Sequence, residues 1–430
     1  MLLKKTLLLI FTCFCHFSCI FSQEYLIEGR KRLNFAQTYF ELGAQYYPAF
    51  DAFSSATQAP NGYEQVRNTA TTLANLQIGG IHFWGHADFY ISIPLAGLGQ
   101  KRKDPFQLNE SVVTGARLMP WTYRHGRITP YIGTAWAIRN YQQAGPDSLQ
   151  TPLITKNTLR FDAGLVYGRP HFLFRMGVLA QTARTLAYPV NKTHFENIRL
   201  PALSPFVALA YTFESTKTKG MDAINQQLNA YPGFSSPNLK NKATSGWFVG
   251  IGASTCWVLS VSARNVALYP FLNQRSVSRT YADVAMGYHF SGIGLATALS
   301  WRNIVYKQHG YGVEQNLRRN AIVFESYKFL LDYHGFTPYF GVGIGLDHYT
   351  FREQNDEHTT DVRKSMFSKC LIFGWDILPG KTRQAWVLRT NLRWFPFETL
   401  PINSYEHRLN QLEYNVIQLV WYPGRSNSKQ

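Results

Sequence analysis

The chain has 430 residues, 15% of them aromatic, with 32 Gly, 16% charged residues and a formal net charge of +17. Abundant aromatics and glycines with so few charges exclude a disordered chain and a helical bundle, and match an all-β protein rich in turns. The basic surplus, about +15 once Lys4 and Lys5 are removed, raises the question of an anionic partner.

Lys4 and Lys5 precede an apolar run from Leu7 to Ile20 and then "FSQE", the layout of a secretory signal over residues 1–22. No later stretch reaches the roughly 18 apolar residues of a spanning helix. Cys19 sits in "HFSC", which lacks the aliphatic residue expected before a lipidated cysteine. Cys13, Cys15 and Cys19 leave with the signal, so only Cys256 and Cys370 remain, each on the small-residue side of a strand. They read as packed thiols and not as a disulfide framework.

From residue 23 to 430 the pattern is that of one domain built from alternating strands. "TYFELGAQYY" (38–47) sets Phe40, Leu42, Ala44 and Tyr46 against Glu41, Gly43 and Gln45. "GIHFWGHADFYISIPL" (80–95) sets Ile81, Phe83, Phe89, Ile91 and Ile93 against His82, His86, Asp88, Tyr90 and Ser92. "LRFDAGLVYG" (159–168) and "FLFRMGVLAQ" (172–181) flank the turn "GRPH", and "GWFVGIGAST" (246–255) alternates large with small residues. "YADVAMGYHF" (281–290) and "IGLATALSWR" (293–302) flank Ser291-Gly292, an expected hairpin. "PYFGVGIGLDHY" (338–349) and "WVLRTNLRW" (386–394) are the most regular. A period of two marks strands whose faces meet different surroundings.

Strands of 10–14 residues are long for a soluble sheet and suit a tilted membrane crossing. The large apolar parity then faces lipid, and the Gly, Ser, Asn, Arg and Asp parity faces the inside. Tyr46, Tyr47, Trp121, Trp394, Trp421 and Tyr422, near strand ends, are candidate interface aromatics. Segments 142–156, 183–202 and 303–318 read as longer loops. About fifteen strands can be counted, the tally being weakest over 214–245, and an even number is expected of such a barrel. The expected fold is therefore all-β, a single closed antiparallel transmembrane β-barrel of about 14–16 strands.

The "FSQ" ending of the signal, "GHADFYISIPL", "PYFGVGIGLDHY", "LRTNLRWFP" and the closing "EYNVIQLVWYP" resemble outer-membrane β-barrel proteins of the Bacteroidota type. The resemblance covers residues 33–423 as a style of strand. It implies location in the outer membrane of a Gram-negative bacterium and insertion by the barrel-assembly machinery. "PGRSNSKQ" after Trp421-Tyr422 departs from the usual terminal aromatic.

The candidate lumen-lining residues are His82, His86, Asp88, Arg160, Asp162, Arg175, Asp347, Arg389, Asn391 and Arg393. On a strand, His82 and His86 stand about 13 Å apart, too far to grip one ion, so no metal and no cofactor is expected. On the inner parity Arg117, Arg139, Arg160, Arg175, Arg302, Arg389 and Arg393 meet Glu41, Asp88, Asp162, Asp283, Asp347 and Asp376. That near-balance predicts a paired network and not a one-sign selectivity ring. The basic surplus falls in "GRKR" (29–32), "KRK" (101–103), "RHGR" (124–127) and "RR" (318–319). Such ends can meet outer-membrane lipid and lipopolysaccharide phosphates, or only keep the chain soluble. Nucleic acid is not an expected partner.

No catalytic residue is expected: G-x-S-x-G, P-loop and G-x-G-x-x-G motifs are absent from the sequence. Strands begin near Leu33, leaving no room for an N-terminal plug domain. The first functional expectation is a passive channel or transporter for small solutes of unknown identity. The alternative is a structural, assembly, adhesion or secretion-partner barrel without channel activity, and the weaker one a surface enzyme.

Overall fold

The computed structural model describes residues 37–55, 63–82, 85–95, 106–143, 151–169, 171–214, 245–330, 336–377, 385–396 and 398–426, with two-residue strands at 26–27 and 30–31. The expected signal over 1–22, the "KRK" at 101–103 and nearly all of 214–245 lie outside the described residues.

The all-β, closed and antiparallel character holds, and sixteen ring strands are present among the described residues. They close as two rings of eight, where the sequence pattern suggested one larger ring. The first ring contains β1 (Gln37–Tyr47), β4 (Thr71–His82), β5 (Ala87–Pro94), β7 (Val113–Leu118), β8 (Ile128–Gln143), β9 (Ile154–Gly168), β10 (Phe172–Gln181) and β13 (Leu203–Glu214). It closes where β13 pairs β1, Phe206 to Glu214 against Gln45 to Gln37, and β8 pairs β9 from Ile128 against Tyr167 to Tyr141 against Ile154. Strand β6 (Phe106–Glu110) continues the edge of β7 along the same side of β8.

The second ring runs β14 (Gly246–Val258), β15 (Tyr281–Phe290), β16 (Leu295–Gly310), β17 (Val313–Phe329), β18 (Phe336–Gln354), β19 (Thr359–Ile377), β20 (Trp386–Phe395) and β23 (Gln411–Trp421). It closes where β14 pairs β23. The reason for two rings is pairing: β13 returns to β1 and β23 returns to β14, each after eight strands. Alternation fixes which face a side chain takes, but it is silent on which strand is the neighbour.

Both rings have a plain end and a crowned end. The crown carries the hairpins β2–β3 (Phe50–Ser55, Tyr63–Asn68), β11–β12 (Thr185–Pro189, Phe195–Arg199) and β21–β22 (Thr399–Ile402, Tyr405–Arg408), and helix α1 (Ala263–Leu268). Helix α2 (Pro423–Ser426) lies at the plain end. The rings touch along β8–β9 and β14–β23: Trp136 and Trp257 stack with centroids 4.6 Å apart. Nearer the crown, the Asn273 side chain accepts from Thr155 N (3.1 Å) and donates to the Leu153 carbonyl (2.9 Å).

Several local expectations are corrected. Residues 80–95 are two strands, with His82 paired to Ala87 across a reversal, so a single parity does not run through. On β4 the inward residue is Ile81, fully buried, whereas on β5 the inward residues include Asp88 and Tyr90. Segment 303–318 is no loop: β16 and β17 meet at Tyr311-Gly312, both at positive φ (46° and 84°), the primed turn that suits a twisted hairpin. "RR" 318–319 consequently lies within β17, Arg318 outward and Arg319 fully buried. Segment 183–202 folds as the β11–β12 hairpin.

Outward faces carry the large apolar residues. Leu42, Ile132, Phe174, Leu209, Phe340 and Ile344 are all exposed, the last by 61%. On β18 the outward series Phe340, Val342, Ile344, Leu346 changes to His348, Thr350 and Arg352 toward the crown. On β17 Ile322 and Phe324 likewise give way to Arg318, Asn316 and Glu314. An apolar belt therefore encircles the plain-end half, and the second ring's strands project beyond it.

Candidate functional site: the filled ring interiors

Inward-facing Arg and carboxylate side chains converge from different strands into networks. In the first ring, Arg117 (β7) donates Nε to Asp162 (2.8 Å, β9) and reaches Asp88 (3.2 Å, β5) and Gln77 (3.2 Å, β4). Arg175 (β10) pairs with Asp88 at 2.8 Å and with Glu41 on β1. Tyr39 Oη donates to Asp88 at 2.8 Å, and the Arg117 guanidinium lies 3.8 Å from the Tyr90 ring centroid. Gly133 stands where a Cβ would collide with the Asp162 carboxylate and Arg117 stem, so this pair needs the missing side chain. Nearer the crown, Arg139 and Arg160 both bind Glu110, at 2.6 and 2.9 Å.

The second ring repeats the design with other residues. Arg393 (β20) pairs with Asp283 (2.6 Å) and Glu325 (2.8 Å), and Arg389 clasps Asp376 through two nitrogens at 2.7 and 2.8 Å. Arg319 (β17) reaches Asp347 (2.6 Å) and Glu413 (2.7 Å), and Glu413 also pairs with Arg302 at 2.9 Å. Asn391 donates to Tyr339 Oη at 3.3 Å. A charge taken out of water is tolerated only when paired and hydrogen-bonded, which is what these contacts supply.

The interiors are packed. Arg139, Arg175, Arg302, Arg319 and Arg393 rank among the largest fully buried side chains, and Arg160, Asp162 and Arg389 are no more than 5% exposed. Lining of a continuous water path would be exposed to water, and these residues are not. Eight strands enclose a width that side chains fill, whereas the expectation of an aqueous lumen rested on 14–16 strands.

Asp88, Arg160, Asp162 and Arg175 come together in the first ring, and Asp347, Arg389, Asn391 and Arg393 in the second. His82 and His86 do not join them. His82 closes β4 on the outward parity beside the Phe89 ring, centroids 6.0 Å apart. His86 lies in the reversal at the plain end, Nδ1 2.9 Å from the Met119 carbonyl and Nε2 3.0 Å from Thr122 Oγ1. Of the interface candidates, Tyr46, Trp121, Trp394 and Trp421 are outward and exposed, but Tyr47 and Tyr422 are buried. Adjacent strand residues point opposite ways, so Tyr46-Tyr47 and Trp421-Tyr422 cannot both face out.

The interior charges beyond the inner-parity set read from the sequence include Arg319, Glu325, Glu353, Glu398 and Glu413, all buried, and Glu110, which binds Arg139 and Arg160. Glu325 and Arg319 share the inward parity of β17, which a full strand over 313–329 would have revealed. Glu413 was hidden by a register shift where Ala253/Ser254 meet Ile417 and Asn415. Counting back from Val420 puts Glu413 outside; the bulge turns it in. Cys256 and Cys370 are free, buried thiols, and Tyr306 Oη donates to Cys256 Sγ at 2.9 Å. At the crown, outside the belt, burial holds the His407 imidazole down to about 4, with Nδ1 3.1 Å from Ser262 Oγ.

Comparison with known proteins gives distant shape likeness. Neisserial surface protein A matches with TM-score 0.30 at 12% identity, over 42% of this chain and 99% of its own. Ail, the attachment invasion locus protein of Yersinia pestis, gives 0.28 at 11%, over 42% and 99%. The COG4313 outer membrane channel of Pseudomonas putida F1 gives 0.21 at 10%, over 90% and 95%. Likeness this remote carries no argument about function. No family model and no curated protein matches the chain.

Proposed function

We propose that this protein is an integral outer-membrane protein of a Gram-negative bacterium whose two barrels are closed to solutes, acting as a membrane-embedded scaffold or adhesion and assembly partner. One observation carries the reading: both interiors are filled by near-balanced Arg–carboxylate networks buried from water. The apolar belt supports membrane residence, since a sheet in hydrocarbon must leave no edge unpaired. The Bacteroidota-type resemblance and the barrel-assembly machinery as partner belong to the same proposal, as does the lack of a catalytic role.

The crown supports a partner role. Leu259, Val261, Val266 and Leu268 are each at least 40% exposed beyond the belt, beside α1. Apolar side chains grouped outside the lipid zone suit contact with another macromolecule. Reconstitution into planar bilayers tests the closure: silence is expected, and regular conductance steps would restore the passive-channel reading. Crosslinking in intact cells followed by mild solubilisation is expected to retain a stoichiometric partner on the crown.

A further inference from the structure

Between the two rings lies a cavity of about 310 Å³, at the height where the outward belt turns polar toward the crown. Its floor is the Trp136–Trp257 stack with Ile138 and Val416. Its upper wall carries Arg279, Lys307 and His309, and no Asp or Glu lines it among the described residues. The Arg279 amide bonds the Val305 carbonyl at 3.0 Å, which sets it two residues from Lys307. Arg279 and Lys307 are both exposed, and neither has an acidic partner among the described residues. Inside the rings Arg117, Arg175, Arg319 and Arg393 pair with carboxylates; here Arg279 and Lys307 stand over an apolar floor.

We infer that this cleft binds lipopolysaccharide through a phosphate of its lipid A, with an acyl chain along the tryptophan floor. The inference rests on the outer-membrane reading above and specifies one partner for it. Anionic phosphate suits guanidinium and ammonium donors at a partly apolar site. A volume near 300 Å³ suits one phosphate with part of one acyl chain, the remainder of the lipid lying outside the cleft. Barrels of this type turn their elaborated loops outward, which puts the cleft at the lipopolysaccharide leaflet.

The test uses the full mature chain, delipidated in detergent and titrated with bis-phosphorylated lipid A, alongside native mass spectrometry of protein purified from outer membranes. One lipid A-bearing molecule retained per chain is expected. The R279Q/K307Q variant should bind lipid A at least tenfold more weakly, and K307E alone should weaken it too. R124Q/R127Q, at the exposed plain-end turn, serves as the control and should bind as the parent does. Heat-modifiable gel mobility verifies that each variant still forms its barrels, and K307E stands in if the double variant does not. Equal binding by parent and cleft variants overturns the site. Retention of a glycerophospholipid in place of lipid A overturns the ligand. A parent that inserts as a silent, closed barrel but retains no lipid overturns this inference alone, leaving the scaffold proposal intact.

Discussion

Arg319→Leu is the most telling perturbation of the second ring. Arg319 Nε and Nη2 hold Asp347 at 2.8 and 2.6 Å, Nη1 holds Glu413 at 2.7 Å and Gln411 at 2.9 Å, and the guanidinium lies 4.2 Å from the Phe395 ring centroid. After the change Glu413 keeps Arg302 at 2.9 Å, and Gln411 keeps the Tyr306 and Tyr349 hydroxyls at 3.0 and 2.9 Å. Asp347, fully buried, keeps no cation among the described residues. Removing one member of a buried pair strands the other charge, at about 3–5 kcal/mol. The loss should be read as a shift of the urea unfolding midpoint in detergent micelles. Adding Asp347→Leu removes the stranded carboxylate and should recover most of the loss. Arg318→Leu, one residue away but outward and bonded to Asn303 at 2.9 Å, should change stability by about 0.5 kcal/mol or less. If Arg319→Leu costs no more than Arg318→Leu, water reaches the interior and the closed-ring argument fails.

Three further outcomes are expected. Ile344→Arg, on an exposed mid-belt position, should destabilise insertion in lipid vesicles by about 2–4 kcal/mol, whereas His348→Arg beyond the belt should be nearly silent; equal effects would misplace the membrane. Trp136→Ala and Trp257→Ala, combined in a double-mutant cycle, should show a coupling of about 0.5–1.5 kcal/mol from the inter-ring stack; no coupling would mean the rings are independent. His407 is neutral in the fold, its value lowered to about 4, while the unfolded chain takes up the proton near the ordinary value, about 6.5. Unfolded chains then bind more protons between those limits, so stability should fall as pH drops from about 6.5 to 4, by on the order of 3 kcal/mol. His407→Gln should reduce that slope by one proton's share in unfolding titrations, and an unchanged slope would assign it elsewhere.

Much of the interior was legible from parity alone. Arg117, Arg139, Arg160, Arg175, Arg302, Arg389 and Arg393 all lie inside, as alternation indicated, and so do their six acidic counterparts. The strands at 172–181 and 281–290 carry the bounds read from the pattern. The failures have local causes. The pairing of His82 with Ala87 broke the parity that placed His82 and His86 within, and a bulge opposite Ser254 concealed Glu413.

What the chain's own order of residues determined is the face each side chain takes, because the pleat points successive Cβ atoms to opposite sides whatever the neighbour. Only tertiary structure decided how many strands close a ring, because that depends on which distant edges pair: Phe206–Glu214 with Gln45–Gln37, and Val249–Val258 with Trp421–Gln411. Ring size in turn decides whether Arg and Asp on the inner face line water or fill the space, and at eight strands they fill it.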